Sequence, residues 1–128
     1  MPYFISISGI AILLLISYTG SPRGWFLKPC GWLSRIMHTF GGFFVAMFIS
    51  EYFGKELLAQ AGVLKYFIII AGSTALVGVF WEIAEYIFGI YKFKKSGTKK
   101  YITEIKDTIE DLFLDIVGAG IWILLLVL

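Results

Sequence analysis

Apolar residues run along this chain in four long blocks, separated by short stretches where glycine, proline and charged residues gather. The first block, from about Tyr3 to Tyr18, ends at the turn signal Gly20-Ser21-Pro22. The second runs from about Ile36 to Phe53, the third from about Leu64 to Tyr91, and the fourth from near Asp107 to Leu128. At about 1.5 Å per residue each approaches or exceeds the thickness of a bilayer, and the third is long enough that it must tilt or project past the interface. The pattern predicts helices at about 3–19, 34–53, 64–91 and 107–128. Between them, the stretch from Trp25 to Trp32 mixes aromatics with Lys28, as expected of backbone lying among lipid headgroups. Gly54 to Gly62 is expected to form one amphipathic turn with Leu57 and Leu58 pointing down towards the membrane. Lys92 to Lys106 is the hydrophilic connection, with Ser96-Gly97-Thr98 as its bend.

Composition turns these helices into membrane spans. Of 128 residues, 59% are hydrophobic and only 16% charged, and a soluble domain of this size needs a larger polar surface than that supplies. The fold expected is an all-α membrane protein, a four-transmembrane-helix bundle forming a single domain over 1–128. The first block has no basic residue before it and no clear cleavage site after it, so it is expected to be retained rather than removed as a signal peptide. The lone Cys30 excludes an intrachain disulfide.

The net charge of +2 says less than where the charges fall. Arg23, Lys28 and Arg35 mark the first connection, and Lys92, Lys94, Lys95, Lys99, Lys100 and Lys106 the third, against only Lys55 and Lys65 around the second. Basic residues beside a span resist translocation. Connections one and three are therefore assigned to the cytoplasm, both termini to the non-cytoplasmic side, and the protein to a cytoplasmic-type inner membrane as a multi-pass protein. The lysine run is foremost a topology signal, but Lys94, Lys95, Lys99 and Lys100 would also attract a phosphate or an anionic headgroup.

An ionisable group in hydrocarbon costs a few kcal/mol and calls for a partner, a wet cavity or a role. His38 falls about one turn inside the cytoplasmic end of the second helix. Glu82 and Glu85, three apart and so on one face, fall near the cytoplasmic end of the third. Asp107, Asp111 and Asp115 recur every four residues on the fourth, with Glu110 beside them. Counting residues brings His38, Glu82 and Asp115 to one depth. Several carboxylates in one low-dielectric place cannot all stay ionised without protons or a cation. A divalent metal held by His38, Glu82, Glu85, Asp107, Asp111 and Asp115 would satisfy them, and carboxylates with one imidazole suit Mg²⁺, Mn²⁺, Fe²⁺ or Zn²⁺. For Asp107, Glu110 and Asp111, capping of a helix N-terminus explains the same residues. Glu85 would equally serve as a salt-bridge partner for Lys92 or Lys106. Glycines 41, 42, 72, 78, 118 and 120 suggest close helix packing.

These residues resemble the uncharacterised bacterial inner-membrane family of the YjdF type. The resemblance is carried by His38-Thr39-Phe40-Gly41-Gly42-Phe43, Trp81-Glu82-Ile83-Ala84-Glu85-Tyr86, and Asp107-Thr108-Ile109-Glu110-Asp111-Leu112 with Asp115 and Gly118-Ala119. More distantly the chain is similar to VanZ-type small membrane proteins, which share the order His, Glu, Asp across successive helices and carry Asn where Asp115 stands. The resemblance implies a motif-bearing site and no particular reaction.

Three functional readings stay open at this point. The first is a metal-dependent membrane enzyme or binding site, acting at the headgroup level on a lipid or polyprenyl phosphate. The second is a proton- or cation-coupled carrier using the same acids, which in so small a protein calls for a homo-oligomer. The third is a non-catalytic subunit or scaffold. No Gly-rich phosphate loop or nucleophile motif is present, and nothing suggests nucleic acid as a partner.

Overall fold

The computed structural model describes residues 2–20, 31–97 and 105–128, and all regular structure among them is helical. Helix α1 spans Pro2–Gly20, α2 Gly31–Phe53, α3 Lys55–Ala61, α4 Val63–Ser96 and α5 Ile105–Val127. The four expected helices are all present. Helix α2 begins earlier than its apolar block, taking in Gly31 and Trp32 from the end of the expected interfacial turn, while residues 25–30 of that turn lie outside the described residues. Helix α4 continues past Tyr91 to Ser96 and stops before Gly97, which takes φ +73°. The connection expected at Lys92–Lys106 is therefore shorter than its polarity suggests. Lysines do not break helices, and only a residue that tolerates the left-handed region ends this one readily.

The short turn between the second and third apolar blocks is the helix α3. Gly54 and Gly62 flank it at φ +77° and +84°, conformations that cost a side-chain-bearing residue about 1 kcal/mol or more. Gly54 N–H still donates to Ser50 O and Gly62 N–H to Leu58 O, so the chain turns sharply without abandoning its hydrogen bonds. Leu57 and Leu58 are half-buried against the apolar core of the bundle.

Helices α2 and α5 form the centre of the bundle, and α1 and α4 pack around them. Two glycines allow the central pair to approach so closely. A Cβ at Gly42 would meet the Asp115 backbone carbonyl, and one at Gly118 would meet the Thr39 carbonyl. Close backbone approach through small residues is how helices associate where lipid removes the hydrophobic drive between them. Gly41 and Gly72, by contrast, have nothing within 4 Å of a Cβ, so close packing explains only some of the glycines.

The interior is divided by polarity. An apolar core of Ala46, Tyr66, Ile70, Ala71, Ala119 and Ile123 fills the half next to α3, sealed by Ile49, Leu57, Leu58 and Trp122. Hydroxyls there are satisfied within their own helices, Thr74 Oγ1 donating to Ile70 O and Ser50 Oγ to Met47 O, and Trp122 Nε1–H donates across from α5 to Ser50 Oγ at 2.8 Å. The opposite half holds His38, Glu82, Asp111 and Asp115, all buried. The outside is apolar. Phe4 is 73% and Phe80 65% exposed, with Ile12, Leu15, Ile68 and Leu124 similarly outward, which is the surface a bilayer requires and water penalises.

Among the described residues three helical segments are long and apolar enough to cross a membrane: Tyr3–Gly20, Trp32–Phe53 and Val63–Tyr91. Helix α5 is 23 residues long, as is α2, but its first half carries Asp107, Glu110, Asp111 and Asp115.

Candidate metal centre

His38 lies two turns into α2, on the face that Gly42 turns towards α5. The periodicity that places Asp111 and Asp115 one turn apart on α5 brings both against its imidazole. Asp115 Oδ1 is 3.2 Å from Nδ1, and Asp111 Oδ2 is 3.3 Å from Nε2. From α4, Glu82 Oε1 reaches to 3.8 Å from Nε2. Gly78, one turn before Glu82, lets α4 approach at this point, since a Cβ there would fall on Asp115 Oδ2. Glu85 follows Glu82 on the same face.

Four residues each offer one ligand atom to a common point. Atoms of His38, Glu82, Glu85 and Asp111 lie within 4.8 Å of one another. Donors on opposite sides of an ion bonded at about 2.0–2.6 Å stand about 4–5 Å apart, so the group has the dimensions of one coordination sphere. Glu82 provides a second sign. The residue is only 6% exposed, its Oε1 is buried without a hydrogen-bond partner, and its Oε2 accepts a bond from Thr108 Oγ1 at 3.3 Å. A buried carboxylate oxygen left unpaired costs several kcal/mol, and a cation is one way to satisfy it.

Asp115 has a different place from the one expected of a ligand. It faces Nδ1, on the far side of the ring from Glu82 and Asp111, and lies outside the four-atom group. In the tautomer whose Nδ1–H donates to Asp115, Nε2 would offer its lone pair to a cation on the side of Asp111 and Glu82. This is the carboxylate–imidazole arrangement that orients a metal-binding histidine. Asp107 is exposed in the first turn of α5, also outside the group. Glu110 forms an ion pair with Arg35, both substantially exposed at the rim.

Two contributors have no chemical signal of their own in the sequence. Thr108 is an ordinary helical threonine whose spacing of three before Asp111 places it on the same face of α5. Arg35 carries a topology signal, and its pairing with Glu110 across α2 and α5 depends on the packing of the two helices. Of the lysines expected to meet phosphate, Lys94 is exposed on the last turns of α4 and Lys95 belongs to the same helix, while Lys99 and Lys100 lie outside the described residues.

The arrangement gathers one imidazole and several carboxylates in an apolar bundle. Like charges this close repel strongly at low dielectric, so the group is stable only with protons or a cation among its oxygens. Three carboxylates and one imidazole without a thiolate are a hard, oxygen-rich donor set.

No curated protein and no solved structure matches the chain. Residues 3–128, nearly its whole length, match the family described as a predicted membrane protein, DUF2238, and the chain belongs to that family.

Proposed function

We propose that the protein binds a divalent cation at His38, Glu82, Glu85 and Asp111, close to the cytoplasmic headgroup level, and uses it on a phosphorylated lipid or polyprenyl phosphate. The observation that carries this reading is the convergence of four donor atoms within 4.8 Å of one another, together with a buried Glu82 oxygen that has no hydrogen-bond partner. A hard oxygen-rich set suits Mg²⁺, Mn²⁺, Fe²⁺ or Zn²⁺. A cation at headgroup depth presents positive charge where phosphate groups lie, which is what phosphoryl chemistry requires. Asp115 orients the imidazole, and Lys94 and its neighbours add positive charge at the same membrane face.

This reading places α5 across the membrane as a fourth span in a cytoplasmic-type inner membrane, with both termini on the non-cytoplasmic side. At about 1.5 Å per residue, 23 residues reach about 34 Å. Asp111 and Asp115 face the other helices rather than lipid, and by sequence the basic connections adjoin the end of the helices at which they sit.

Elemental analysis of the detergent-purified protein tests the reading, with wild type beside a Glu82→Gln, Asp111→Asn double variant and metal counted per chain. One metal per chain in the wild type, lost in the double variant, is the expected result. Wild type that stays metal-free after incubation with Mg²⁺, Mn²⁺, Fe²⁺ and Zn²⁺ overturns it.

A further inference from the structure

Helices α1 and α4 both pack against α2, but among the described residues α1 is not packed against α4. A cavity of about 310 Å³ fills the space between them. Its two ends differ in chemistry. Ile10, Leu13, Val45 and Val77 make the deep part apolar, whereas His38, Glu85 and Asp115 close the end towards the donor group. Glu85 is the least buried of the four converging ligands, so the group opens to the cavity on that side.

The dimensions restrict what fits. On α4 the wall runs from Thr74 to Glu85 and on α2 from Ser34 to Val45, each twelve residues and about 16 Å of axis. That is about half of a hydrocarbon core about 30 Å thick, the depth of one leaflet. A cavity of about 150 Å³ holds benzene, so about 310 Å³ accommodates a hydrocarbon of about a dozen carbons, which is one chain and not two. Gly41 keeps the wall open, with nothing within 4 Å of where a Cβ would stand.

We propose that this cavity receives the hydrocarbon chain of a single-chain phosphorylated amphiphile from the cytoplasmic leaflet, with its phosphate at the His38–Glu85 end. The proposal rests on the cation-site reading for the choice of headgroup and on the cavity for the choice of chain. The chain enters sideways between α1 and α4, from the hydrocarbon in which it is already dissolved, and a cation held at the donor group offsets the carboxylates of Glu85 and Asp115 so that the polar end takes the phosphate.

Native mass spectrometry of the protein released from phosphatidylcholine nanodiscs reads metal, amphiphile and chain number together. The probes are dodecyl phosphate, methyl phosphate and dodecyl maltoside. The wild type is expected to retain one dodecyl phosphate per chain, with at least tenfold weaker retention of the other two. Gly41→Leu, which fills the cavity from α2, should weaken dodecyl phosphate at least tenfold while leaving the metal count unchanged. Val77→Phe does the same from α4 and guards against misfolding of the first variant. Equal retention by wild type and both variants, indifference to the phosphate, or a dimer that excludes amphiphile because a second copy covers the cavity each overturns the proposal. Metal without amphiphile overturns this inference alone. Amphiphile blocked by Gly41→Leu but bound by a metal-free protein overturns the cation site and leaves the chain site standing.

Discussion

His38 shows how one residue can serve a site through both ring nitrogens. Asp115 Oδ1 lies 3.2 Å from Nδ1 and Asp111 Oδ2 3.3 Å from Nε2, so a proton held on Nδ1 by Asp115 would leave Nε2 as the ligand atom on the side of Asp111 and Glu82. Asp115→Ala is expected to weaken metal binding about 10- to 100-fold, the range found when such orienting carboxylates are removed. Asp115→Asn keeps an acceptor for the Nδ1 proton and should recover much of that loss, as measured by competition with a chelating dye. Equal losses in both variants would instead make Asp115 a direct ligand. The sequence revealed the candidates because acids at four-residue intervals in an apolar helix have few bland explanations. It did not reveal that Asp115 and Asp111 meet different nitrogens of one ring, since both lie on one stripe and their division depends on where the α2 backbone stands between them.

Between the helices, glycine positions decide what can meet. Gly42 and Gly118 bring α2 and α5 into backbone contact, and the same contact sets His38 level with Asp111 and Asp115. Gly42→Ala puts a methyl group on the Asp115 backbone carbonyl and should destabilise the protein by about 1–3 kcal/mol while lowering its metal content. Gly41→Ala, one residue earlier, meets nothing within 4 Å and should be neutral or stabilising by up to about 1 kcal/mol, because alanine is the better helix former. Unfolding in mixed detergent micelles compares the two; similar losses for both would mean that α2 is rotated away from this packing. The pairing was only half legible beforehand. Six glycines marked helices that pack closely, but the side of the helix each one faces does not follow from composition.

At the scale of the molecule, the apolar core beside α3 and the polar group at the other end are both enclosed by helices whose outer faces are apolar. If α5 crosses as a fourth span, alkaline phosphatase fused after Leu128 should be active and a fusion after Gly97 inactive. Activity at Gly97 with none at Leu128 would invert the orientation, and matching activities would mean that α5 does not cross. Helical structure, an apolar exterior suited to lipid and a level of ionisable residues on three helices all followed from the sequence. Each depends on local composition and on the 3.6-residue period, which act within a single helix. The convergence of four donor atoms, the turning of Asp115 to the far ring nitrogen, the Arg35–Glu110 pair and the gap between α1 and α4 were decided only by the tertiary structure. The period fixes directions in a helix's own frame, whereas the rotation and register of one helix on another are set where their backbones come closest, a property of the pair that neither helix carries alone.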